Sequence, residues 1–581
     1  MTEQQKIENQ SDLIVAYLEL LGVEYVFGIP GGHISSLYDS LARSERRGGP
    51  RAVLTRHESG AAFMAASYAR ETGKIGVCCA TTGPGVTNII TGVAAAYADH
   101  LPLLVLTGQT LLPASSLGAL QECSPYQGPF PDIVDIMGMM EHCTCYNALV
   151  THPQQLEKKL AAAIITALQP LCGPAHLSIP VDILRSPHTG ELNFPNLPEL
   201  AAPATAASFL DSVALDKLWQ EILIVTREGR QVALFVGNEC ADATEEILAF
   251  AELLSAPIVT SLRGKSRVRA DHPLVFGVFG AFGHKSARQA LAEESVDLIL
   301  AIGTSLGQWA TAGWQSTLLN NKMVHIDHTN TYFPRSPFAR LHVRGTIKII
   351  FQELVTRLKN MGFDAKIPQK QRSQVQHLRY SPPQVQLQAP EGYHSNQVPI
   401  KPQRLIYEMM RGFPAETRFA VDTGNCLAWM THYFFPKQAK NYRLLSTGQP
   451  STGWAPGGAV GIAMGSPGTP VVCITGDGSF LMYGQEITVA VAEQLPVIFI
   501  ILNDCSYGMI RDRHRQTGKE PLEFAIPPVN FAKMAEAVGA KGYTIRDPEF
   551  FEQIDFKKLC KTGPTVLDVH IDPNELPPIG N

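Results

Sequence analysis

The segment that most constrains this chain is "GDGSFLMYGQEITVAVAEQLPVIFIILND", residues 476–504. An apolar run over residues 471–475 leads into it. The pattern is a strand, a Gly-rich turn, an amphipathic helix and a second apolar strand ending at Asn503. Asp477 and Asn503 therefore reach the C-terminal ends of two strands in a parallel sheet, where ligands bind in doubly wound folds. A carboxylate, an amide oxygen and a nearby backbone carbonyl are hard donors. They suit Mg²⁺ that also takes oxygens from a diphosphate. Gly476 and Gly478 let the backbone approach closely, and free N–H groups of such a turn, which runs on to Ser479, hold phosphate. A GDG tripeptide alone is usually a surface turn. The helix, strand and Asn that follow carry the ligand reading.

A chain of 581 residues has material for three or four domains. Its net charge of −5 offers no basic excess for nucleic acid. No run of about 18 uncharged apolar residues stands out as a membrane span. Glu493 and Pro496 break the most apolar stretch. The polar N-terminus is unlike a secretory signal. The 11 cysteines have no disulfide-like spacing, as expected of reduced thiols in the cytoplasm. Cys78-Cys79 fall on a buried strand. His142-Cys143-Thr144-Cys145 has no second Cys/His pair, so it reads as core or surface cysteines.

Residues 1–185 alternate apolar strands ("VEYVFGIPG", "AVLTRHE", "IGVCCATTG", "PLLVLTG") with helices, and a linker over 186–203 follows. A second α/β pattern fills 204–365. Residues 366–401, rich in Gln, Pro and Ser, read as a second linker. Residues 402–581 form a third α/β unit with the opening motif and an unstructured tail. No short internal repeat is visible. The expected fold class is α/β, with three doubly wound parallel-sheet domains.

Three such units with GDGS and Asn503 in the third resemble the acetolactate-synthase and pyruvate-oxidase branch of the thiamine diphosphate (ThDP) enzymes, over nearly the whole chain. The resemblance implies a pyrimidine-binding first domain, a central domain that is often structural, and a diphosphate- and Mg²⁺-binding third domain. It implies Asp477, Asn503 and the backbone carbonyl of Cys505 as metal ligands, with Gly476, Gly478 and Ser479 at the cofactor. "DTGNCLAW" is similar to the loop that lies on the diphosphate, through Gly424, Asn425 and Cys426. Acetolactate synthases usually carry Gln and His at the last two positions. "STGQPSTGWAPGGAVG" is similar to the turn under the bent cofactor, placing Pro450 and Thr452 there. Thr452 stands where many members have a bulky wedge between the two rings.

Arg56-His57-Glu58 ends a strand and opens the helix "SGAAFMAASYARETG". A helix N-terminal acid can serve the dipole alone. The resemblance implies more: Glu58 is the cofactor-binding, catalytic glutamate that hydrogen-bonds the pyrimidine N1′ and so promotes loss of the C2 proton. The cofactor itself carries the carbon chemistry. "ATTGPGVTN" resembles the Gly-rich turn that shapes this half of the site. Gln121 in "ALQE" falls where family carboligases have an active-site glutamine, with a solvated loop residue as the equal alternative. The resemblance also implies a homo-oligomer, dimer or tetramer, with each site between two subunits.

The implied reaction is decarboxylation of a 2-oxo acid, pyruvate favoured, and carboligation to a carbonyl acceptor. In "CSYGMIRDRHRQTG", Met509 matches the apolar lid residue. Arg513 replaces a Trp that faces the acceptor in branched-chain synthases. A guanidinium there could grip an anionic acceptor, or Arg513, His514 and Arg515 are a solvated basic lid. The family's FAD segments read Gly277-Val278-Phe279-Gly280 and "GTSLGQWATAG" here, without the Arg and acids, so FAD is not expected. Gly264-Lys265-Ser266 ends like a P-loop, but position 259 is Val where the motif needs Gly. A decarboxylase without ligation is one alternative; the adjacent His pair of pyruvate decarboxylases is missing near Gln121. An acetyl-transferring or thiol-lyase relative is another. From a different class stands a non-catalytic ThDP-binding scaffold, which would have no chemical need for Glu58, Asp477 and Asn503 together.

Overall fold

A computed structural model describes residues 7–123, 133–169, 171–189, 209–363, 384–438, 441–444, 448–518 and 522–578. They form three six-stranded, wholly parallel sheets flanked by helices. The first contains β1 (Tyr25–Gly28), β2 (Arg51–Leu54), β3 (Gly76–Ala80), β4 (Leu103–Gln109), β5 (Tyr146–Leu149) and β6 (Pro174–Pro180), in the order β2-β1-β3-β4-β6-β5. The central sheet contains β7 (Gln231–Val236), β8 (Ile258–Thr260), β9 (Val275–Val278), β10 (Val296–Ile302), β11 (Met323–Asp327) and β12 (Leu341–Arg344). Its order is β12-β11-β10-β7-β8-β9. The third contains β13 (Arg418–Val421), β14 (Tyr442–Arg443), β15 (Val471–Gly476), β16 (Val497–Asn503), β17 (Lys541–Ile545) and β18 (Thr565–His570), in the order β14-β13-β15-β16-β18-β17.

The first and third sheets thus share one strand permutation, a repeat of topology that leaves no repeat in sequence. β4 and β16 are buried along their whole length, as strands covered by helices on both faces must be. The segment after β15 is not one helix. It runs as a helix (Asp477–Tyr483), a 3₁₀ turn (Gly484–Glu486) and a second helix (Ile487–Ala492). The turn directs Glu486 inward, where its carboxylate accepts the N–H of His57 at 2.9 Å.

Most of the first expected linker lies outside the described residues, as does the first half of the second. Residues 384–401 pack onto the third domain: Tyr393 is buried and its hydroxyl donates to the Tyr433 carbonyl at 2.6 Å. The described part of the tail, up to residue 578, lacks regular structure but is pinned. Glu575 accepts from Lys401 at 2.6 Å, and the Pro573 carbonyl accepts from Arg511 at 2.7 Å. Among the described residues, no helix is long and apolar enough to cross a membrane.

The helix Glu58–Thr72 crosses the helix Trp454–Gly465, and the two bring the first and third domains onto one apolar core that includes Phe63, Met64, Trp454 and Val460. Their sequences, "ESGAAFMAASYARET" and "WAPGGAVGIAMG", are rich in Gly and Ala, so the backbones can come close. A Cβ on Gly461 would lie 2.2 Å from the Met64 carbonyl oxygen, which is backbone and cannot yield locally. Gly461→Ala is expected to force the helices apart and cost about 1–3 kcal/mol, the usual range for overpacking. Thermal denaturation of the purified variant checks this.

Candidate active site

The third domain's site lies at the switch point of its sheet, where chain leaves the adjacent strands β13 and β15 in opposite directions. A cavity of about 280 Å³ opens there. It is lined by Gly424, Asn425, Cys426 and Thr452 from one side, by residues 476–479 from the other, and by Met509 above. Gly424 precedes the helix Asn425–Tyr433 with φ +140°, a conformation that side-chain-bearing residues rarely adopt. The first amides of that helix therefore face the cavity, a ready anion seat.

Asp477 opens the helix Asp477–Tyr483 and is buried. Its Oδ1 accepts the Gly478 N–H at 2.7 Å. Burial first, and then the like charge of Asp504, push its carboxyl up to about 7 against the pull of the Gly478, Cys505 and Ser506 amides. Its Oδ2 is buried without a well-formed hydrogen bond, as is Oδ1 of Asn425. Asn503 donates its amide nitrogen to Asp568 at 2.8 Å, and its oxygen accepts only a weak bond from the Cys505 thiol at 3.5 Å among the described residues. Cys505 sits at φ +55°, and its carbonyl accepts only the Ile526 N–H at 2.8 Å. Two buried oxygens without well-formed hydrogen bonds, beside an amide oxygen and a carbonyl with a spare lone pair, fit a hard cation bound with a diphosphate.

Two residues of this region escaped the sequence reading. Asp422, fully buried at the end of β13, accepts from Thr423, from Gly453 at 2.9 Å and from Thr475 at 2.8 Å. It bridges β13, β15 and the start of the helix Trp454–Gly465, and burial raises it to about 7. An acid closing an apolar strand before "TGN" was the available signal. Arg511 is the buried cation of the basic segment. It pairs with Asp504 and Asp512, each at 3.0 Å. Asp512 in turn accepts from Asn425 at 2.8 Å, tying the segment to the anion seat. Nothing in a run reading "RDRHR" distinguishes which arginine turns inward.

The first domain holds the other group of expected residues. Glu58 begins its helix behind the His57 N-cap and is buried. Its Oε2 accepts from Asn88 at 3.0 Å, so "ATTGPGVTN" touches it directly. Gln121 is exposed, at φ +57°, and its carbonyl accepts from Thr82 of the same turn at 3.1 Å. Glu486 reaches this loop from the third domain. Burial pushes its carboxyl from the ordinary 4.5 to about 7, while the Arg56 and His57 amides pull the other way.

Every residue lining the cavity belongs to the stretch 423–571. The structure brings Gly424, Asn425, Cys426, Thr452, residues 476–479 and Met509 together. Asn503 and Cys505 adjoin them; Pro450, Glu58, Gln121 and Arg513 do not line the cavity. Arg513 is exposed one turn beyond Met509 on the helix Gly508–Gln516. Of the cysteines singled out, Cys78, Cys79 and Cys143 are buried and Cys145 is exposed.

A cavity suited to an anion and a cation on one doubly wound sheet, with a buried glutamate opening a helix on another, points to a diphosphate-cofactor enzyme, and comparison with known proteins agrees. Residues 8–130, 220–354 and 422–569 match, respectively, the N-terminal TPP binding domain, the central domain and the C-terminal TPP binding domain of the thiamine pyrophosphate enzymes. The chain belongs to this family and is a ThDP-dependent enzyme of the acetolactate-synthase-like branch. It is 30% identical to a probable acetolactate synthase large subunit of Methanocaldococcus jannaschii, over 98% of this chain and 93% of the relative. It is 29% identical to the acetolactate synthase isozyme 2 large subunit of Escherichia coli, over 97% and 96%. It is 28% identical to the chloroplastic acetolactate synthase 2 of Nicotiana tabacum, over 97% and 82%.

The raised Glu486 carboxyl has a stability consequence. Between pH 4.5 and about 7 the unfolded chain ionises this group while the folded chain keeps it protonated. The folded state then holds more protons, so stability falls as pH rises through that window. Glu486→Gln retains an acceptor for the loop amides and is expected to remove about 2 kcal/mol of that fall. Urea midpoints of both proteins at the two ends of the window check it.

Proposed function

We propose that this enzyme decarboxylates a 2-oxo acid, with pyruvate the favoured donor, and joins the remaining acyl unit to a carbonyl acceptor. The single observation behind this reading is the pairing of donor-starved oxygens on Asp477 and Asn425 with a buried Glu58 held by Asn88. ThDP, when bound, supplies the electron sink for decarboxylation. In this reading Asp477, Asn503 and the Cys505 carbonyl hold Mg²⁺, and the amides around Gly424, Asn425 and Cys426 hold the diphosphate. Gly476, Gly478 and Ser479 shape the turn, and Pro450 and Thr452 support the pyrimidine side. Glu58 holds a proton at the pyrimidine N1′. Met509 closes the cavity against water. Gln121 and Arg513 face the acceptor, and Arg513 favours an anionic one because no carboxylate pairs with it among the described residues.

A second copy of the chain completes each site in this reading, since Glu58 does not reach the cavity of its own chain. Exposed apolar side chains lie beside both halves: Leu117 and Leu120 near Gln121, and Leu481, Met482 and Ile510 near the cavity. Burying them against another copy would remove that apolar surface from water. A cytoplasmic setting suits the unpaired cysteines.

FAD is absent in this reading. The central sheet has the strand order of dinucleotide-binding folds. Its switch-point cavity, about 140 Å³, carries the carboxylates of Glu239 and Asp327, and Arg263 there is already paired with Asp99 at 2.8 Å. Two acids and a neutralised guanidinium are poor company for a diphosphate. The purified enzyme is expected to show no flavin absorbance.

Product analysis with ThDP, Mg²⁺ and pyruvate, with and without a panel of aldehyde and 2-oxo acid acceptors, tests the reaction. CO₂ release that rises with one acceptor, with a matching ligation product, is expected. Aldehyde as the sole product would make the enzyme a simple decarboxylase, and no turnover would favour a scaffold. Glu58→Gln is expected to lower the rate by about 10²-fold or more. Arg513→Trp is expected to shift preference away from anionic acceptors, and an unchanged acceptor profile would sink that assignment.

A further inference from the structure

The Gly264-Lys265-Ser266 turn has no part in the site described above, yet Lys265 is among the most buried charged residues of the chain. It follows β8 in the central domain and crosses into the third. Its Nζ donates to the carbonyl of Met430 at 2.9 Å and to that of Thr431. It also lies over the rings of Phe435 at 5.2 Å and Tyr442 at 5.6 Å. Among the described residues no carboxylate pairs with it. Those two carbonyls belong to the last turn of the helix Asn425–Tyr433, where intrahelical partners run out; that of Met430 also accepts the Phe434 N–H at 3.3 Å. His284, also central, accepts the Val278 N–H on Nδ1 and so donates from Nε2 to the next carbonyl, His432, at 2.9 Å.

The helix thus has its carbonyl end gripped by the central domain and its amide end at the anion seat. Burial pulls the Lys265 ammonium well below the usual lysine range, but its N–H groups bond the end carbonyls and fix the helix axis, which leaves the amide end aimed into the cavity. We propose that Lys265 is a positioning residue for diphosphate binding: through this nine-residue helix the central domain holds Gly424, Asn425 and Cys426 in place for the cofactor. The inference rests on the reading of those three residues as the diphosphate seat. It gives the central domain a task in cofactor binding that requires no nucleotide of its own. A buried lysine with only carbonyls and rings as partners is costly to fold around.

Calorimetric titration of the full chain with Mg-ThDP and, separately, with Mg-pyrophosphate tests this. Lys265→Met keeps the length and apolar stem but not the N–H donors. It is expected to raise both dissociation constants by about 3- to 30-fold, the range of a helix-terminal interaction. Ser266→Ala, in the same buried turn, is expected to leave both unchanged. A merely structural lysine would lower the melting temperature and leave the affinities of the folded variant alone, and that result overturns the proposal. Hydrogen exchange on the unmodified enzyme gives an independent check if Lys265→Met does not fold. Mg-pyrophosphate should slow exchange along residues 425–433 and also in the central turn 262–267, whereas slowing confined to the third domain overturns the coupling. Failure of the unmodified enzyme to bind pyrophosphate would instead remove the seat itself, and the proposal with it.

Discussion

The contact on which the rest of this structure depends is the close crossing of two small-residue helices, Glu58–Thr72 and Trp454–Gly465. One opens with the glutamate of the first domain. The other starts beside Asp422 at the edge of the cavity in the third. Because glycine and alanine let the backbones approach within reach of carbonyl oxygens, the two sheets are fixed at one distance. Larger side chains would leave the Glu58 loop out of range of Glu486, whose carboxylate now bonds that loop from the opposite domain. Packing of this density transmits position with little slack.

Three carboxyls (Asp422, Asp477 and Glu486) are raised to about 7 by burial in and around the site. Each weighs against the stability of the cofactor-free chain. Their surroundings differ in a telling way. Asp422 is surrounded by donors and acts as a structural tie between strands. Glu486 takes amides from one loop and positions it. Asp477 alone keeps an oxygen without a well-formed bond, which is the signature of a group awaiting a partner from outside the chain. Burial is similar in all three, so the hydrogen-bond count separates tie and strut from the proposed ligand.

Much of this was legible beforehand, and the reasons are physical. Continuous apolar strands between helical patterns can only be buried parallel strands, so the three α/β units were readable from periodicity. The ends of β15 and β16 were readable because ligand chemistry concentrates at strand C-termini. Asp422 was missed because an acid in "DTGN" looks like any turn acid until its bonds from Thr423, Gly453 and Thr475 are seen. Arg511 was missed because "RDRHR" has the composition of a solvated face. Only packing shows that Arg511 turns inward between Asp504 and Asp512 while Arg513 stays in water. The break at Gly484–Glu486 was likewise hidden, since the bond that Glu486 makes there is to a loop more than 400 residues away in the chain.

The sequence by itself determined the fold class, the order of the domains and the kinds of donor at each strand end, because these follow from local periodicity and from chemistry carried by neighbouring residues. The tertiary structure alone decided which expected residues meet. It set Gly424, Asn425, Cys426, Thr452 and Asp477 around one cavity and kept Glu58 outside it. It also turned Lys265 from a broken P-loop into a clamp on a distant helix. Those outcomes depend on contacts between segments far apart in the chain, and no local pattern encodes the distance between two faces that only packing brings together.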